Sequence, residues 1–250
     1  MKSINQYIQE KLLIKKNPYN YFPKTKEELH DILKELIKKR GYNGDFNDID
    51  TSEITDMSYL FSEIKDFNGD ISEWNVSNVT NMRDMFKYCE SFNQDLSKWN
   101  VSNVTNMLYM FYICKSFNQD ISNWDVSNVT NMNHMFGYCR AFNQDISKWN
   151  VSNVINIKYM FWECSSFNKP LNEWNVTSAT EMDGMFCGCK SFNQPLNKWN
   201  VSNVTSMNRM FNQCKSFNKD ISNWNVSNVT HKGFMFDYCP IEEKYKPKFR

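Results

Sequence analysis

Residues 75–89 read NVSNVTNMRDMFKYC, and variants of this string return at one fixed interval along the chain. Tryptophan recurs at the same interval, at Trp74, Trp99, Trp124 and onward to Trp224, and one row of phenylalanines and one row of cysteines keep this register without an insertion. Seven regular copies occupy residues 67–241, the first of them residues 67–91, and a degenerate copy occupies residues 42–66. A fixed period of this length predicts units that stack on one another, because a single unit cannot bury its own apolar face.

The pattern within one unit predicts a short helix and a short strand. Met82, Met85, Phe86 and Cys89 follow the i, i+3, i+4, i+7 spacing of one face of an α-helix. Residues 95–101 are short and rich in branched and aromatic side chains, which favours a strand or an extended turn. We therefore expect eight strand-turn-helix coils, with neighbouring strands roughly 4.7–4.9 Å apart.

The string at residues 75–89 resembles the BspA-like leucine-rich-repeat proteins, whose tandem units of this length occur in bacterial surface proteins, mycoplasma lipoproteins and some large viruses and phages. The resemblance extends over residues 42–241. It implies an α/β repeat solenoid, a leucine-rich-repeat-like stack used in adhesion or protein interaction.

The two ends of the chain do not repeat. Residues 1–41 are expected to form an N-terminal helical cap, because Thr25 and Glu28 make a capping box ahead of an amphipathic pattern that ends at Gly41. This segment carries 10 basic and 5 acidic side chains, whereas residues 42–66 carry 1 and 7, so the cap is expected to dock on the first coil. Residues 242–250 form a short polar tail, either a frayed end or a polar cap.

A second amphipathic helix is predicted near the start of the chain. Two interpretations stay open for it: it completes the cap, or it docks the protein to a larger assembly. The pattern consists of Ile4, Tyr7, Ile8 and Leu12.

The repeating polar residues favour structural roles over chemical ones. Single cysteines, one in each of the seven regular copies, lack the paired spacing of a metal site, so we interpret them as buried apolar residues. Cys187 stands outside this ladder, in a slot expected to face solvent, and is the candidate reactive thiol. The recurring N-x-S/T strings and the aspartate row that begins at Asp70 are interpreted as ladders of turn hydrogen bonds. No catalytic triad, phosphate loop or dinucleotide motif occurs, so we expect no enzyme activity, no cofactor and no metal.

The copies differ from one another chiefly in the slots beside the Met-Phe pair. Aromatic side chains gather there on three neighbouring copies, and exposed aromatics on a rigid frame are typical interface anchors. Packing between units is the competing interpretation. The candidate partner-binding residues are Tyr109, Tyr112, His134, Tyr138, Tyr159 and Trp162.

Bulk properties limit the partners and the location. The formal net charge of +1 gives no case for nucleic acid, and neither a secretory signal nor an apolar run long enough to cross a membrane is present. We expect a cytoplasmic or virion-associated protein in preference to a cell-surface one. Its partner is expected to be a protein, with a glycan as the second option; the alternative function is a structural component of an assembly such as a virion, docked through the N-terminus.

Overall fold

The computed structural model describes residues 18–249, and the predicted fold class is wrong for them. One α-helix, α1 (Lys26–Arg40), precedes the repeats, and one 3₁₀ helix (Glu243–Tyr245) follows them. Between these two helices, within the described range, the repeats contain neither a helix nor a strand longer than one bridged residue. The chain is therefore a stack of turns, and the α/β solenoid of strand-turn-helix coils is not formed.

The expected helix is replaced by a run of turns whose N–H groups point in two directions. The N–H groups of Met82, Asp84 and Phe86 donate to carbonyls of the next copy. The N–H of Met85 instead closes a turn within the copy, on the carbonyl of Met82. Since Asp84 and Tyr88 have φ of 54° and 65°, the right-handed helical path is broken twice in each unit.

The apolar slots predicted from the spacing are buried all the same. Met82, Met85, Phe86 and Cys89 are fully buried. Phenylalanine rings form rows along the stack: Phe86 lies parallel to Phe111 at 5.5 Å and to Phe92 at 4.1 Å between ring centroids. The spacing thus identifies the inward-facing residues correctly, although the backbone that carries them is not helical.

Single parallel bridges join matching positions of successive copies along the whole stack. They run from Asp56–Asn81 to Ser206–His231, and a further bridge, Asp45–Asp70, joins the first two copies. Side chains reinforce this register: the indole N–H of Trp99 donates to the carbonyl of Ile71 at 3.2 Å, and equivalent bonds occur at the other tryptophans.

The two predicted polar ladders are confirmed. The Asp70 carboxylate accepts a hydrogen bond from the N–H of Ser72 at 3.0 Å, which is the expected turn. The Asn78 amide donates to the carbonyl of Ser52 in the preceding copy at 2.8 Å, and the asparagine in the same slot repeats this bond in later copies. These bonds link neighbouring copies, and in copy 6 the Ser178 hydroxyl replaces the asparagine and donates to the carbonyl of Ser152 at 2.6 Å. The recurring N-V-S-N-V-T string therefore has a structural role in the stack.

The N-terminal end is closed by α1, as predicted. The Thr25 hydroxyl accepts from the N–H of Glu28, and Gly41 ends the helix with φ of 74°. The expected charge complementarity takes the form of two ion pairs with the first copy, Arg40–Asp48 at 2.7 Å and Lys26–Asp56 at 3.6 Å. The predicted second helix at residues 4–12 lies outside the described residues.

The C-terminal tail folds back onto the last copy. Tyr245 and Phe249 pack against the core, and the carbonyl of Tyr245 accepts the N–H of Ile221 at 3.0 Å. The tail therefore covers part of the end of the stack and is not frayed over its described part.

Candidate interaction surface

Six half-buried side chains form a continuous band on the turn run of copies 3, 4 and 5, which span residues 92–116, 117–141 and 142–166. We call this band the aromatic stripe. It brings together every side chain predicted for partner binding. Its members are Tyr109, Tyr112, His134, Tyr138, Tyr159 and Trp162.

One row of the stripe is stacked face to face along the protein. The His134 ring lies between the rings of Tyr109 and Tyr159, at 4.5 and 4.7 Å between centroids. These residues occupy the same slot of successive copies, so the stacking follows from the bridged backbone beneath them. Their shared faces are hidden, and their outer edges remain half-exposed.

The second row meets the first one edge to face. Tyr112 packs edge-on against both Tyr109 and Tyr138, at 5.2 and 5.9 Å. Trp162 does the same to Tyr138 at 4.6 Å. Such geometry is the favoured arrangement of aromatic pairs and holds each ring in one orientation. The stripe is a preorganised surface as well as a packing element.

A basic and aromatic extension of the stripe was missed by the sequence reasoning. Tyr88 lies edge-on to Tyr112 at 5.7 Å, and the Lys87 ammonium is 5.2 Å from the centre of the Tyr109 ring. Lys87 is held there by the buried carboxylate of Asp84 at 3.1 Å. Comparison of slots could have found Tyr88, because it occupies the slot of Tyr138 in an earlier copy.

Burial shifts the ionisation of the stripe toward neutral forms. It lowers the pKa of His134 to about 4, with the nearby Lys158 adding to the effect. It raises the pKa of Tyr112 to about 12, and it raises the pKa of Tyr138 as well. At neutral pH the rings of His134, Tyr112 and Tyr138 are therefore uncharged, and the Lys87 ammonium lies against the neighbouring Tyr109 ring.

Glycines in the following copy make room for side chains of the stripe and its surroundings. A Cβ on Gly137 would stand 2.8 Å from the Tyr112 ring, closer than ordinary van der Waals contact. Gly188 gives space to the Glu163 carboxylate in the same manner, with a Cβ placed 2.5 Å from Oε1. These small residues fix where the larger neighbours lie.

The ladder cysteines are buried, as predicted, except Cys239 in the last copy, which is half-buried. Each buried one donates its S–H to a carbonyl of the preceding copy; Cys114, for example, bonds the carbonyl of Phe86 at 3.0 Å. The prediction that Cys187 faces solvent is wrong. Its side chain is 7% exposed, because the neighbouring copies cover this slot, and burial raises its pKa to about 11.

The described residues contain neither a cluster of metal-binding side chains nor a helix that could cross a membrane. Across residues 18–249, His, Cys, Asp and Glu side chains form no group of three or more that could hold a metal ion. Within the same range the helices are too short or too polar to cross a membrane.

The geometry defines a class of protein: a tandem-repeat stack that carries a preorganised aromatic surface. The family described as Mycoplasma protein of unknown function, DUF285, matches residues 31–147, 98–190 and 169–244, and the chain belongs to this family. The match supports the tandem-repeat, mycoplasma-type part of the resemblance and does not extend to the leucine-rich-repeat assignment. No curated protein and no solved structure matches the chain.

Proposed function

We propose that this chain is a non-enzymatic binding module whose aromatic stripe docks a protein partner. The proposal rests on one observation: the fold does not require aromatic side chains in the slots that carry them. The slot of Tyr109, His134 and Tyr159 holds Gly184 in copy 6 and Asp84 in copy 2, with the stack unchanged.

The backbone of that slot makes the aromatic choice costly. Tyr109 and Tyr159 have φ of 56° and 54°, in the left-handed region that glycine occupies without strain. Gly184 has φ of 57° in the same slot. A non-glycine residue in this region costs of order 1 kcal/mol, so bulky rings there need a compensating benefit.

Packing supplies part of that benefit. Each aromatic pair contributes about 0.5–1.5 kcal/mol beyond the area it buries, which offsets the backbone strain. Yet the rings keep half-exposed edges on one face, joined to Lys87 and Tyr88 at one end. Rigid tyrosine and tryptophan rings are among the residue types that anchor protein interfaces.

The test is a capture experiment with the intact chain immobilised and an extract of the cells that make it. Three forms are compared: wild type, the double variant Tyr112→Ala/Trp162→Ala, and the control Ile155→Thr. Ile155 is 53% exposed and breaks a row of threonines away from the stripe, so its replacement leaves the stripe intact. Urea unfolding of all three forms shows whether the stack survives each change.

The proposal expects a protein retained by wild type and by Ile155→Thr and lost by the folded double variant. Retention by the double variant, or no protein retained by any form, overturns it. A glycan array run in parallel distinguishes the second option, because binding there without a captured protein would move the stripe to the class of glycan-binding surfaces.

A further inference from the structure

One row of planar side chains along the stack is interrupted at a single copy. The row follows the slot of Tyr109 from copy 3 to copy 8 and consists of Tyr109, His134, Tyr159, Gly184, Arg209 and Phe234. The first three rings stack face to face, and the Arg209 guanidinium lies 5.6 Å from the centre of the Phe234 ring. The interruption is Gly184 in copy 6. Its neighbours lie in copies 5 and 7, inside the stack, so it does not depend on either end of the chain.

An open cleft lies at this interruption. It has a volume of about 330 Å³ and is lined by Tyr159, Asn208, Arg209, Gly233 and Phe234. The Tyr159 ring lies across the Gly184 backbone, so the cleft is bounded by the ring and not by the glycine. Because a cavity of about 150 Å³ accommodates benzene, the cleft has room for one aromatic side chain and a polar group beside it.

The floor of the cleft is held in place by hydrogen bonds. The N–H of Asn208 donates to the Asp183 carboxylate at 2.8 Å, and its Nδ2 donates to the Ser206 hydroxyl at 3.0 Å. Its Oδ1 accepts from the N–H of Gly233 at 2.8 Å. Since both polar atoms of the Asn208 side chain are engaged, a ring can lie over this floor without displacing a bond. A preformed site also costs less to order when a ligand binds.

The charged side chain on the walls is a cation. Arg209 is exposed and forms no ion pair with another residue of the described range 18–249. The buried Asp183 carboxylate accepts from the Ser206 hydroxyl at 2.5 Å and lies 3.9 Å from the Lys158 ammonium, so its charge is compensated elsewhere. A guanidinium pairs with a carboxylate through two parallel N–H···O bonds. The walls therefore favour a planar ring that comes with a carboxylate.

Two features favour a side chain of a docked protein over a free small molecule. Small-molecule sites enclose most of the ligand surface, whereas Arg209 and Gly233 are exposed and leave this cleft open to solvent. The cleft also shares the Tyr159 ring with the aromatic stripe. A protein that lies on the stripe therefore reaches the cleft along a continuous surface.

We propose that the cleft binds an aromatic side chain of the partner protein, next to an acidic residue of the same partner. The ring stacks on Tyr159 in the place that the row leaves empty at Gly184, and the carboxylate pairs with Arg209. Stacking selects the ring, and the guanidinium selects the acid. This inference rests on the proposed function for the identity of the ligand as a protein, and it adds the chemistry of the anchor.

The test is an NMR titration of the ¹⁵N-labelled full chain with three blocked tetrapeptides. The first contains aspartate followed by tyrosine between two glycines, the second has asparagine for the aspartate, and the third has leucine for the tyrosine. The first peptide should shift the backbone amide signals of Arg209 and Gly233, and it should bind at least about fivefold more tightly than either of the others. The amide of Thr80, which is bonded to Thr55 far from the cleft, should not shift.

Two variants test the role of the guanidinium. Arg209→Gln keeps a polar side chain, and Gln213 with φ of 59° shows that glutamine adopts the left-handed backbone in this fold. In this variant the aspartate and asparagine peptides should bind equally. The matched control Lys215→Gln removes a cation of the same copy that lies over Tyr238, outside the cleft, and should keep the preference. Urea unfolding checks that both variants fold. A preference that survives Arg209→Gln, no binding, or shifts confined to residues outside the cleft overturns the inference.

The capture experiment with cell extract separates this inference from the proposed function. Arg209→Gln should retain less of the protein that wild type retains; full retention overturns the role of the cleft and leaves the stripe proposal standing. No protein retained by any form overturns the proposed function and, with it, the assignment of the ligand to a partner protein. Tighter binding of N-acetyltyrosine, with its free carboxylate, than of the first peptide would assign the cleft to a small aromatic acid and overturn the same assignment.

Discussion

The ring of Tyr159 lies flat across the backbone of Gly184 in the next copy. A Cβ placed on Gly184 would collide with Cε1 and Cδ1 of that ring. Gly184 also has φ of 57°, a conformation that strains any other residue. The glycine therefore meets two demands, one from its own backbone and one from the ring of its neighbour.

Replacing this glycine should destabilise the stack measurably. Gly184→Ala is expected to lower the free energy of unfolding by about 2–4 kcal/mol, about 1 from the left-handed backbone and the rest from displacing the Tyr159 ring. Urea unfolding followed by tryptophan fluorescence measures the loss.

Two further variants separate the two causes. In the Tyr159→Gly background, Gly184→Ala meets no ring and should show the backbone strain alone. The double variant should therefore recover the part of the loss that comes from the collision. Equal losses on adding Gly184→Ala to the wild type and to Tyr159→Gly would show that the ring contact is irrelevant.

The sequence predicts the stacking period and the buried slots, because both depend on repetition and on apolar spacing. It does not separate a helix from a run of turns. The spacing of Met82, Met85, Phe86 and Cys89 is helical. The residues with positive φ that break the helix, such as Asp84 and Tyr88, are not glycines, so the sequence does not mark them as left-handed. Sequence patterns record which residues are buried more directly than which backbone carries them.

For the candidate site, too, the sequence predicts one property and misses another. Comparison of the copies locates the stripe, since its residues are those that the stack leaves free to vary. Whether a given slot is covered depends on the neighbouring copy, and Cys187 shows this: the copies on either side bury a side chain that its own spacing places outward. Contacts between copies are not visible in the pattern of one copy.

The cysteine ladder should be inert toward thiol reagents in the folded protein. Burial raises the pKa of Cys187 to about 11 and that of the ladder thiols in the same direction, so little thiolate forms at pH 8. Ellman's reagent is expected to react slowly with all but Cys239, which is half-buried at the end of the stack. Addition of urea should release all 8 thiols of the chain. Rapid modification of Cys187 without urea would contradict the burial described above.

The hydrogen bonds that the indole N–H groups donate to the preceding copy should raise the free energy of unfolding beyond what the apolar contacts of the rings provide. In Trp124→Phe the carbonyl of Leu96 loses its donor, which lies at 3.1 Å in the wild type, and stays buried. An unsatisfied buried carbonyl costs about 1–3 kcal/mol, and the smaller ring adds a cavity. Chemical denaturation of this variant, with Val126→Ala as a core control that breaks no hydrogen bond, measures the difference. A Trp124→Phe loss no greater than the control loss would refute a stabilising role for the bond.

The stripe should make stability depend on pH through His134. Burial, with Lys158 adding to it, lowers the pKa of this imidazole from 6.5 to about 4 in the folded chain. The unfolded chain therefore takes up a proton below pH 6.5 that the folded chain refuses until about pH 4. Consequently this residue's contribution is complete above pH 6.5 and is lost as the pH falls toward 4.

Removing the imidazole isolates this contribution from the carboxylates that titrate in the same range. In His134→Gln the proton-binding group is absent, while a polar side chain still stands between the rings of Tyr109 and Tyr159. The difference in urea midpoint between wild type and variant should be constant above pH 6.5 and should shift against the wild type between pH 6.5 and 4. A difference that stays constant down to pH 4 would mean that the folded imidazole accepts its proton as readily as the unfolded one. The ring would then be open to solvent, and the stacking between Tyr109 and Tyr159 would not hold it in a desolvated position.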